Sequence, residues 1–333
     1  MSRPTRMGVV GTGSLGFHHA RILRDVANVE MVGFHEIREA RGREVEAELG
    51  IPWFRDFDAL LDRVDAIVVA VPTTAHEAVA MPALVRGIHT LVEKPMAPDL
   101  AAADRMLEAA RLSGAIVQIG HVERFNQAVR AAEPYLDRPL FVESHRMAPF
   151  TARSTDVAVV LDLMIHDVDL VGSLVGRPVM DIAASGVAIL TPNIDIANAR
   201  LTFEGGAVAN LTASRVSVEK MRKIRIFQPS GYLSLNLADG TGEFLRLKQG
   251  IPALNEGSVM QPPPAEGLAA LIERIPLQGD GAEPLRKELE SFRDAVRGDR
   301  PPAVSGQDGR DALALTLSIE ARIRDHVTDP STP

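Results

Sequence analysis

Residues 8–16 have the sequence GVVGTGSLG, which predicts how the first part of this chain folds. Its last six residues match the pattern G-x-G-x-x-G, directly after an apolar run and at the start of an amphipathic one. In that context the first glycine permits a tight turn, the second lets the backbone approach a pyrophosphate, and the third lets helix and strand pack closely. The N terminus of the helix then offers N–H groups to the phosphates. We therefore expect a dinucleotide to be bound by Gly11, Gly13, Ser14, Leu15 and Gly16.

Short apolar runs alternate with longer amphipathic runs over the first 120 residues. This alternation predicts a parallel sheet that is covered by helices on both faces. We expect strands at residues 7–10, 30–34, 66–71, 90–92 and 115–119, and helices at residues 14–24, 39–49, 75–86 and 100–113. The sequence thus predicts an α/β fold with a doubly wound Rossmann domain over residues 1–122.

The pattern changes after residue 122. Residues 125–132 and 157–175 are expected to be helical, and period-2 alternation between residues 179 and 247 predicts consecutive strands of a mostly antiparallel sheet. The Pro- and Gly-rich residues 248–283 predict a long loop or lid, and helices are expected at residues 284–297 and 309–325. We therefore expect a second, α+β domain over residues 123–333 with a large open sheet, whose C-terminal helices can pack back on the first domain.

Composition excludes several classes of protein. The 333 residues include 36 basic and 44 acidic side chains, and a net charge of −8 argues against a nucleic-acid binder. The absence of cysteine excludes disulfides and thiolate zinc sites. The apolar runs are too short to span a membrane, and the N-terminal residues lack the apolar core of a secretory signal. We expect a cytoplasmic protein.

Glu36 follows the second predicted strand, 20 residues after Gly16. A carboxylate at this position accepts hydrogen bonds from the adenosine ribose and repels a 2′-phosphate, which favours NAD over NADP. The nearby Arg38 and Arg41 weaken that preference. An exposed glutamate without a ligand is the alternative.

The third strand is followed by Thr73 and His76. Loops at the carboxyl ends of parallel strands face the dinucleotide crevice, so both residues are expected to line the cofactor site. Thr73 is equally well placed to cap the next helix.

The segment LVEKPMA, residues 91–97, places Lys94 at the end of another strand of the same sheet. Pro95 favours an extended backbone at Lys94. An ammonium group held in the crevice can polarise a hydroxyl or carbonyl oxygen, and Glu93 is expected at the cofactor site beside it. The alternative is a surface turn that carries an ordinary Glu–Lys pair.

In the second domain, Asp162 and His166 are four residues apart and would share one face of a helix. Histidine is the usual proton acceptor near neutral pH, and Asp162 would orient it or bind the substrate. The alternative is a core histidine that is satisfied by the carboxylate. Asp162, His166 and Asp167 resemble part of a metal cluster, but no strong further ligand pattern accompanies them, and we expect no metal.

Together these segments resemble the Gfo/Idh/MocA oxidoreductase family. The resemblance covers essentially the whole chain and rests on GVVGTGSLG, VPTTAH, LVEKPMA, GHVERFNQAV, DLMIHDVDL and PLRKELESFRDAVRGDRPPAVSGQDG. It implies that Lys94 is the active-site lysine, that His166 is the acid/base, and that the open sheet of the second domain forms a homo-oligomer, either a dimer or a tetramer.

The segments GHVERFN, residues 120–126, and LDLMIHDVDLV further resemble the subgroup of UDP-N-acetylglucosamine 3-dehydrogenases. These enzymes oxidise the sugar 3-hydroxyl to a ketone, which a partner aminotransferase then aminates. Gln127 departs from the subgroup, where proline is expected.

A nucleotide sugar needs cations for its diphosphate. The substrate residues expected from the sequence are Lys94, Arg124, Asn126, Arg153 and Asp162, and Arg146 and Arg215 are further arginines in segments that could face the cleft. One alternative substrate is a free cyclitol, aldose or other small polyol. A non-catalytic NAD-binding regulator is the alternative from another class, but it would need neither Lys94 nor His166.

Overall fold

The computed structural model describes residues 3–151, 157–248 and 268–328, with the side chains of residues 268, 269 and 326–328 left aside. The chain divides into two compact units, which are Met1–Phe125 with Ala282–Ser318, and Asn126–Gly281 with Ile319–Pro333. The first unit thus extends slightly past residue 122 and includes a C-terminal segment, so the second unit is not an unbroken stretch from residue 123 to the end.

The first unit is built on a six-stranded parallel sheet with the strand order β3-β2-β1-β4-β5-β6. Its elements up to residue 120 are β1 (Thr5–Val10), α1 (Ser14–Leu23), β2 (Val29–His35), α2 (Glu39–Leu49), β3 (Trp53–Phe54), α3 (Phe57–Leu61), β4 (Ala66–Val69), α4 (His76–Val85), β5 (His89–Glu93), α5 (Leu100–Ser113) and β6 (Val117–Gly120). The predicted Rossmann sheet is confirmed. Strand β3 and helix α3 were not predicted, because segments of two and five residues are too short to show a periodic pattern.

The core of this unit lies between the sheet and its helices. All four residues of β4 are buried, and so are Met7 and Val9 of β1. Met7, Val9, Ala66 and Val68 belong to one hydrophobic cluster, which also includes Leu289 and Phe292. These two side chains come from the C-terminal segment of the chain, so residues far apart in sequence complete one hydrophobic core.

The second unit contains an eight-stranded sheet with the strand order β14-β13-β12-β11-β7-β10-β9-β8. Its elements are α6 (Gln127–Ala132), β7 (Phe141–Met147), a π-helix (Val160–Met164), α7 (Ile165–Val175), β8 (Val179–Val187), β9 (Ile196–Phe203), β10 (Val208–Ser214), β11 (Met221–Gln228), β12 (Gly231–Asn236), β13 (Thr241–Leu247) and β14 (Ile272–Gln278). All neighbouring strands pair antiparallel except β7 and β10. The mostly antiparallel sheet is confirmed.

Strand β14 corrects the predicted loop over residues 248–283. It pairs with β13 from Thr241 opposite Gln278 to Leu247 opposite Ile272. This pairing partner lies far along the chain, so the local Pro- and Gly-rich composition gave no sign of it. Residues 249–267, which include QPPPAEG, lie outside the described residues.

The sheet of the second unit has a buried and an open side, as β9 shows. Ala197, Ala199 and Leu201 are fully buried, whereas Asn198 and Arg200 between them are exposed. This period-2 alternation is what a sheet covered on one face produces. The assembly of copies through the open face stays a prediction.

The C-terminal segment forms α8 (Pro284–Val296) and α9 (Gly306–Thr328). Helix α8 packs against α1. Within the described residues, none of the helices combines the length and the apolar character that a membrane crossing requires.

Candidate active site

The three glycines of the loop, Gly11, Gly13 and Gly16, differ in the space around their Cα atoms. Gly11 has φ +84°, and a Cβ there would lie 2.7 Å from Cγ1 of Val71. A Cβ on Gly16 would lie 1.9 Å from the carbonyl oxygen of Gly11. At Gly13, by contrast, a Cβ would meet no described heavy atom within 4 Å beyond its own chain neighbours. Packing therefore requires Gly11 and Gly16, while the space at Gly13 fits the close approach of a pyrophosphate.

The N terminus of α1 begins at this open space. Among the described residues, no side chain caps the helix at Gly13. Ser14 is exposed and Leu15 is 42% exposed. The first N–H groups of a helix have no partner within the helix, and the helix dipole makes that end positive. The residues present fit a bound dinucleotide phosphate.

Glu36 is buried against the glycine loop. Its Oε2 accepts hydrogen bonds from the amide and hydroxyl of Thr12 at 3.0 and 3.2 Å, and its Oε1 accepts from Nε of Arg38 at 2.9 Å. Burial by itself would raise the pKa of this carboxyl, but the hydrogen bonds from Arg38 and Thr12 outweigh it and lower the pKa to about 2. Glu36 is therefore a fixed negative charge at any working pH.

The two nearby arginines differ in their attachments. Arg38 pairs with Glu36, although 63% of its side chain is exposed. Arg41 donates from Nε to the carbonyl oxygen of Thr12 at 2.8 Å, and its guanidinium lies over the ring of Phe17. Arg41 is thus part of the loop's own structure, whereas Arg38 is the cation that a ligand beside Glu36 would meet first.

The loop after β4 forms a short turn before α4, and the predicted cofactor contacts of Thr73 and His76 stay predictions. Thr73 begins a 3₁₀ turn, Thr73–Ala75, and no side-chain cap is present among the described residues at the start of α4. The ring of His76 is buried between two backbone carbonyl oxygens, with Nδ1 2.9 Å from that of Pro95 and Nε2 3.0 Å from that of Val71. Burial lowers the pKa of His76 despite these contacts. His76 therefore joins the β4 loop to the loop of Pro95 instead of lining an open surface.

Lys94 stands at the carboxyl end of β5, two strands from β1 in the parallel sheet. Its side chain is half-buried, and the Lys94–Pro95 peptide bond is cis. Since the carboxyl ends of parallel strands share one edge of the sheet, Lys94 lies at the same edge as the glycine loop.

Glu93 is buried and contacts other residues of the first unit, and its predicted place in the cofactor site stays a prediction. Its Oε1 lies 2.7 Å from Nε2 of His19, and its Oε2 accepts from the amide of Lys94 at 3.2 Å. A Cβ on Gly120 would lie 3.0 Å from its carboxyl carbon. Glu93 is therefore a buried support of the turn that carries Lys94.

In the second unit, Asp162 lies in the π-helix, and His166 lies in the first turn of α7. The helical structure predicted for residues 157–175 is thus present from Val160 to Val175, with a π-helix in its first part. The i→i+5 hydrogen bonds of a π-helix widen the turn, so Asp162 is offset around the axis from the position that an α-helix gives. Both side chains are half-buried, and π-helical turns are frequent at functional sites.

The residue after His166 anchors this helix to the sheet. Arg146 of β7 donates from Nε and Nη2 to the two carboxylate oxygens of Asp167, each at 2.9 Å. Both side chains are 3% exposed. Because its guanidinium forms this buried ion pair, Arg146 is poorly placed to bind the diphosphate of a substrate.

The guanidinium of Arg215 is also used in buried contacts within the protein. Its guanidinium donates to the carbonyl oxygens of Val157 and Ile194, and it lies 3.5 Å from Asp195. Asp195 accepts the amides of residues 189–191. Burial would raise the pKa of Asp195, but these amides and the hydroxyl of Thr191 lower it to about 2. This cluster fixes the chain where it enters the π-helix.

The remaining predicted substrate residues have mixed outcomes. Asn126 is buried, with its Nδ2 donating to the carbonyl oxygen of Leu237 at 2.9 Å and its Oδ1 capping α6 at the amide of Ala128. It thus caps α6, and its predicted contact with the substrate stays a prediction. Arg124 is half-buried on the 3₁₀ turn Val122–Phe125, and Arg153 lies outside the described residues. Gln127 is the first residue of α6, a position that also suits the expected proline.

Sequence reasoning missed His19 and Glu288, which share a buried cluster with Glu93. The signal for Glu288 was present, because it falls within the apolar stripe of Leu285, Leu289 and Phe292 along α8. A charged residue on such a stripe is buried when the helix packs.

Comparisons with known proteins agree with this architecture. Residues 5–121 match the Gfo/Idh/MocA description "Oxidoreductase family, NAD-binding Rossmann fold", and residues 105–234 match the C-terminal domain of the same group. The chain is 35% identical over 323 residues to a UDP-N-acetylglucosamine 3-dehydrogenase of Acidithiobacillus ferrooxidans, covering 96% of this chain and 97% of the relative. It is 26% identical to a myo-inositol 2-dehydrogenase of Thermotoga maritima, covering 96% of each.

Solved structures give the same result. A structure of the Acidithiobacillus ferrooxidans UDP-N-acetylglucosamine 3-dehydrogenase is similar with a TM-score of 0.87 at 33% identity, covering 97% of this chain and 99% of that chain. An apo scyllo-inositol dehydrogenase of Lactobacillus casei has a TM-score of 0.76 at 20% identity, covering 97% of each chain, and supports the fold alone.

Proposed function

We propose a specific reaction for this chain, which belongs to the Gfo/Idh/MocA oxidoreductase family. It oxidises the 3-hydroxyl of a UDP-N-acetylhexosamine to a 3-keto sugar and transfers the hydride to NAD. The observation that carries the proposal is the match over nearly the full length to a relative of that name, at 35% identity. The placement of Lys94 and the open glycine loop at one edge of one parallel sheet supports the chemistry.

NAD is the preferred coenzyme in this proposal. The ionised carboxylate of Glu36 accepts hydrogen bonds from ribose hydroxyls when they replace Arg38, and it repels a 2′-phosphate. The hydrogen bonds that lower the pKa of Glu36 to about 2 keep that charge in place. The glycine loop and the N terminus of α1 hold the pyrophosphate.

The catalytic roles fall to Lys94 and His166. Bound NAD supplies the hydride acceptor. His166 takes the proton of the hydroxyl, and the ammonium of Lys94 stabilises the negative charge that develops on that oxygen. Asp162 orients His166 or binds a neighbouring hydroxyl. The buried Arg146–Asp167 pair holds the turn that carries His166 against its sheet.

A free cyclitol is the second candidate substrate. The relative from Thermotoga maritima, a myo-inositol 2-dehydrogenase, matches over 96% of this chain, although at lower identity. A cyclitol has no diphosphate and needs no cations to bind one. The internal hydrogen bonds of Arg146 and Arg215 are therefore compatible with a cyclitol substrate. For the nucleotide sugar, the cationic contacts must come from other residues, with Arg124 and Arg153 as the candidates.

A substrate screen tests the proposal. NADH formation is followed spectrophotometrically with UDP-N-acetylglucosamine, UDP-N-acetylgalactosamine, UDP-glucose, free N-acetylglucosamine and myo-inositol. We expect turnover with the UDP-N-acetylhexosamines and micromolar binding of UDP alone by calorimetry. Turnover of myo-inositol without UDP binding would favour the cyclitol reaction. Binding of NAD without turnover of any sugar or polyol would favour a non-catalytic role.

We also propose that the chain forms a dimer or tetramer through the open face of the eight-stranded sheet. The exposed alternation along β9 supports an available face. Light scattering after size-exclusion chromatography gives the mass, and replacement of Arg200 by Glu on that face should lower it if the face forms the interface.

A further inference from the structure

Three ionisable side chains meet inside the first unit. Ligand-capable atoms of His19, Glu93 and Glu288 lie within 4.8 Å of one another. The three residues come from α1, β5 and α8, and they are 0%, 7% and 0% exposed. His19 and Glu93 are joined by the 2.7 Å hydrogen bond, whereas neither carboxyl oxygen of Glu288 has a hydrogen-bond partner among the described residues.

Two buried carboxylates beside each other are costly unless one is neutral, because a low-dielectric interior penalises each charge and their mutual repulsion. Burial, and the negative charge of Glu93, raise the pKa of Glu288 well above its ordinary value. Other charged groups on the elements that pack against α8 include Glu123 and Arg124 of the turn after β6, and His19 and Arg21 of α1. Of the surrounding charges, Glu93 is the one that raises the pKa of Glu288.

The hydrogen bonds of the cluster indicate which of the two carboxyl groups is ionised. Glu93 accepts the amide of Lys94 at Oε2, and with the proton of the imidazole on Nε2, His19 donates to its Oε1. An ionised carboxylate suits those roles, because it accepts hydrogen bonds at both oxygens. Glu288 is then the group that carries the proton of the carboxyl pair.

We propose that Glu288, held as a neutral carboxylic acid, is a positioning residue for the active-site lysine. By staying neutral it allows Glu93 to remain ionised, and ionised Glu93 holds the amide of Lys94 in place. The role in catalysis depends on the proposed function of Lys94, while the neutral state of Glu288 does not.

A bound divalent cation would be another way to satisfy two carboxylates and a histidine. The 2.7 Å separation of His19 Nε2 and Glu93 Oε1 is a hydrogen-bond length. Two ligands on a tetrahedral zinc ion, at about 2.0–2.1 Å each, would be about 3.3 Å apart. The geometry therefore favours a proton over a metal ion at this site.

The experiment compares Glu288→Gln, Glu288→Ala and the control Glu290→Gln. Gln keeps the size of Glu288 and a donor group, and Ala removes both. Glu290 lies on the same helix, where it pairs with Lys287 near the surface. Unfolding of the first unit is followed by the fluorescence of Trp53, the sole tryptophan.

The expected pH dependence has a definite sign. Because the pKa of Glu288 is raised on folding, its neutral form favours the native state below the ordinary value of 4.5, and this advantage is lost as the pH rises toward the folded-state pKa. The unfolding constant of the wild type should rise, relative to that of Glu288→Gln, by up to about tenfold per pH unit in that window. Glu290→Gln should follow the wild type. Parallel pH curves for the wild type and Glu288→Gln would overturn the neutral-acid assignment.

Kinetics tests the positioning role. We expect Glu288→Ala to lower kcat at least about tenfold with NAD affinity within about threefold, and Glu288→Gln to restore most of kcat. Equal loss in both variants, or loss confined to NAD binding, would overturn the role. Stoichiometric metal in the purified protein, with loss of activity on chelation, would show that a metal ion and not a proton satisfies the cluster. That result would also overturn the proposal. If Lys94→Ala itself turns over normally, the proposed function fails while the pH result for Glu288 still stands.

Discussion

Replacement of Glu36 by Gln should change the coenzyme preference. The substitution removes a buried negative charge but keeps a side chain of the same size beside Thr12 and Arg38. In the wild type the surroundings lower the pKa of Glu36 from 4.5 to about 2. At about 1.4 kcal/mol per pKa unit, this environment favours negative charge by about 3 kcal/mol. Without the carboxylate, Arg38 and the amide of Thr12 can stabilise the negative 2′-phosphate of NADP instead. NAD, in turn, loses a hydrogen-bond acceptor for its ribose.

We expect the affinity ratio of NADPH to NADH to rise by about a hundredfold. This factor is somewhat smaller than the one that corresponds to the full electrostatic free energy of about 3 kcal/mol. The assay is quenching of Trp53 fluorescence, because its indole Nε1 donates to the carbonyl oxygen of Glu36 at 3.1 Å. Glu39→Gln is the matched control, since Glu39 is an exposed carboxylate that pairs with Arg43 on α2. A ratio that changes less than about threefold in Glu36→Gln, or equally in Glu39→Gln, would show that Glu36 does not set the coenzyme preference.

The same substitution has a consequence for stability. A carboxyl whose pKa is lowered on folding stabilises the protein above its ordinary pKa, and this contribution is lost as the pH falls through the folded-state value. The wild type should therefore lose about 3 kcal/mol relative to Glu36→Gln as the pH falls from 4.5 to about 2. A constant difference between the two proteins over that range would contradict the assigned contacts.

Three further substitutions test separate parts of the site. Lys94→Ala should lower kcat about 10²–10³-fold with NADH affinity nearly unchanged, because only charge stabilisation in the transition state is lost; weaker NADH binding with normal turnover would contradict this. His166→Asn should lower kcat about 10²–10⁴-fold in steady-state assays, as expected for loss of a general base, and turnover close to that of the wild type would remove His166 from the mechanism. Arg146→Met should destabilise the second unit by about 3–5 kcal/mol, because it leaves the Asp167 carboxylate buried and unpaired. Hydrogen exchange in β7 and α7 should then accelerate, and Arg146→Met with Asp167→Leu should recover much of the loss, whereas unchanged exchange would show that the pair contributes little.

The Rossmann sheet could be predicted because its signals are local. The glycine pattern follows a buried strand and opens a helix, and each of these features is visible within a few residues. The same holds for the alternation along β9, which reports a sheet with one covered face. Elements that depend on distant partners gave no such signal, as β14 shows by pairing with β13 across residues 249–267.

The individual site residues were less predictable, because sequence position does not give the direction of a side chain. Glu93 and Lys94 are adjacent, yet Glu93 is buried against His19 and Lys94 is half-buried at the edge of the sheet. Asn126 is polar and precedes a helix, which suits a cap as well as a ligand contact, and the structure shows the cap. Arg146 could not be assigned from sequence, since its partner Asp167 lies 21 residues away on another element.

We propose that Lys94 and His166 act on the same hydroxyl group beside the nicotinamide ring. The most direct measurement is a crystal structure of the Lys94→Met variant and of the wild-type protein, each with NAD and UDP-N-acetylglucosamine. In the wild type, we expect one sugar hydroxyl within about 3.2 Å of both Lys94 Nζ and an imidazole nitrogen of His166, with the attached carbon facing the nicotinamide. A sugar hydroxyl that contacts neither side chain, or side chains that lie on opposite faces of the nicotinamide, would contradict it.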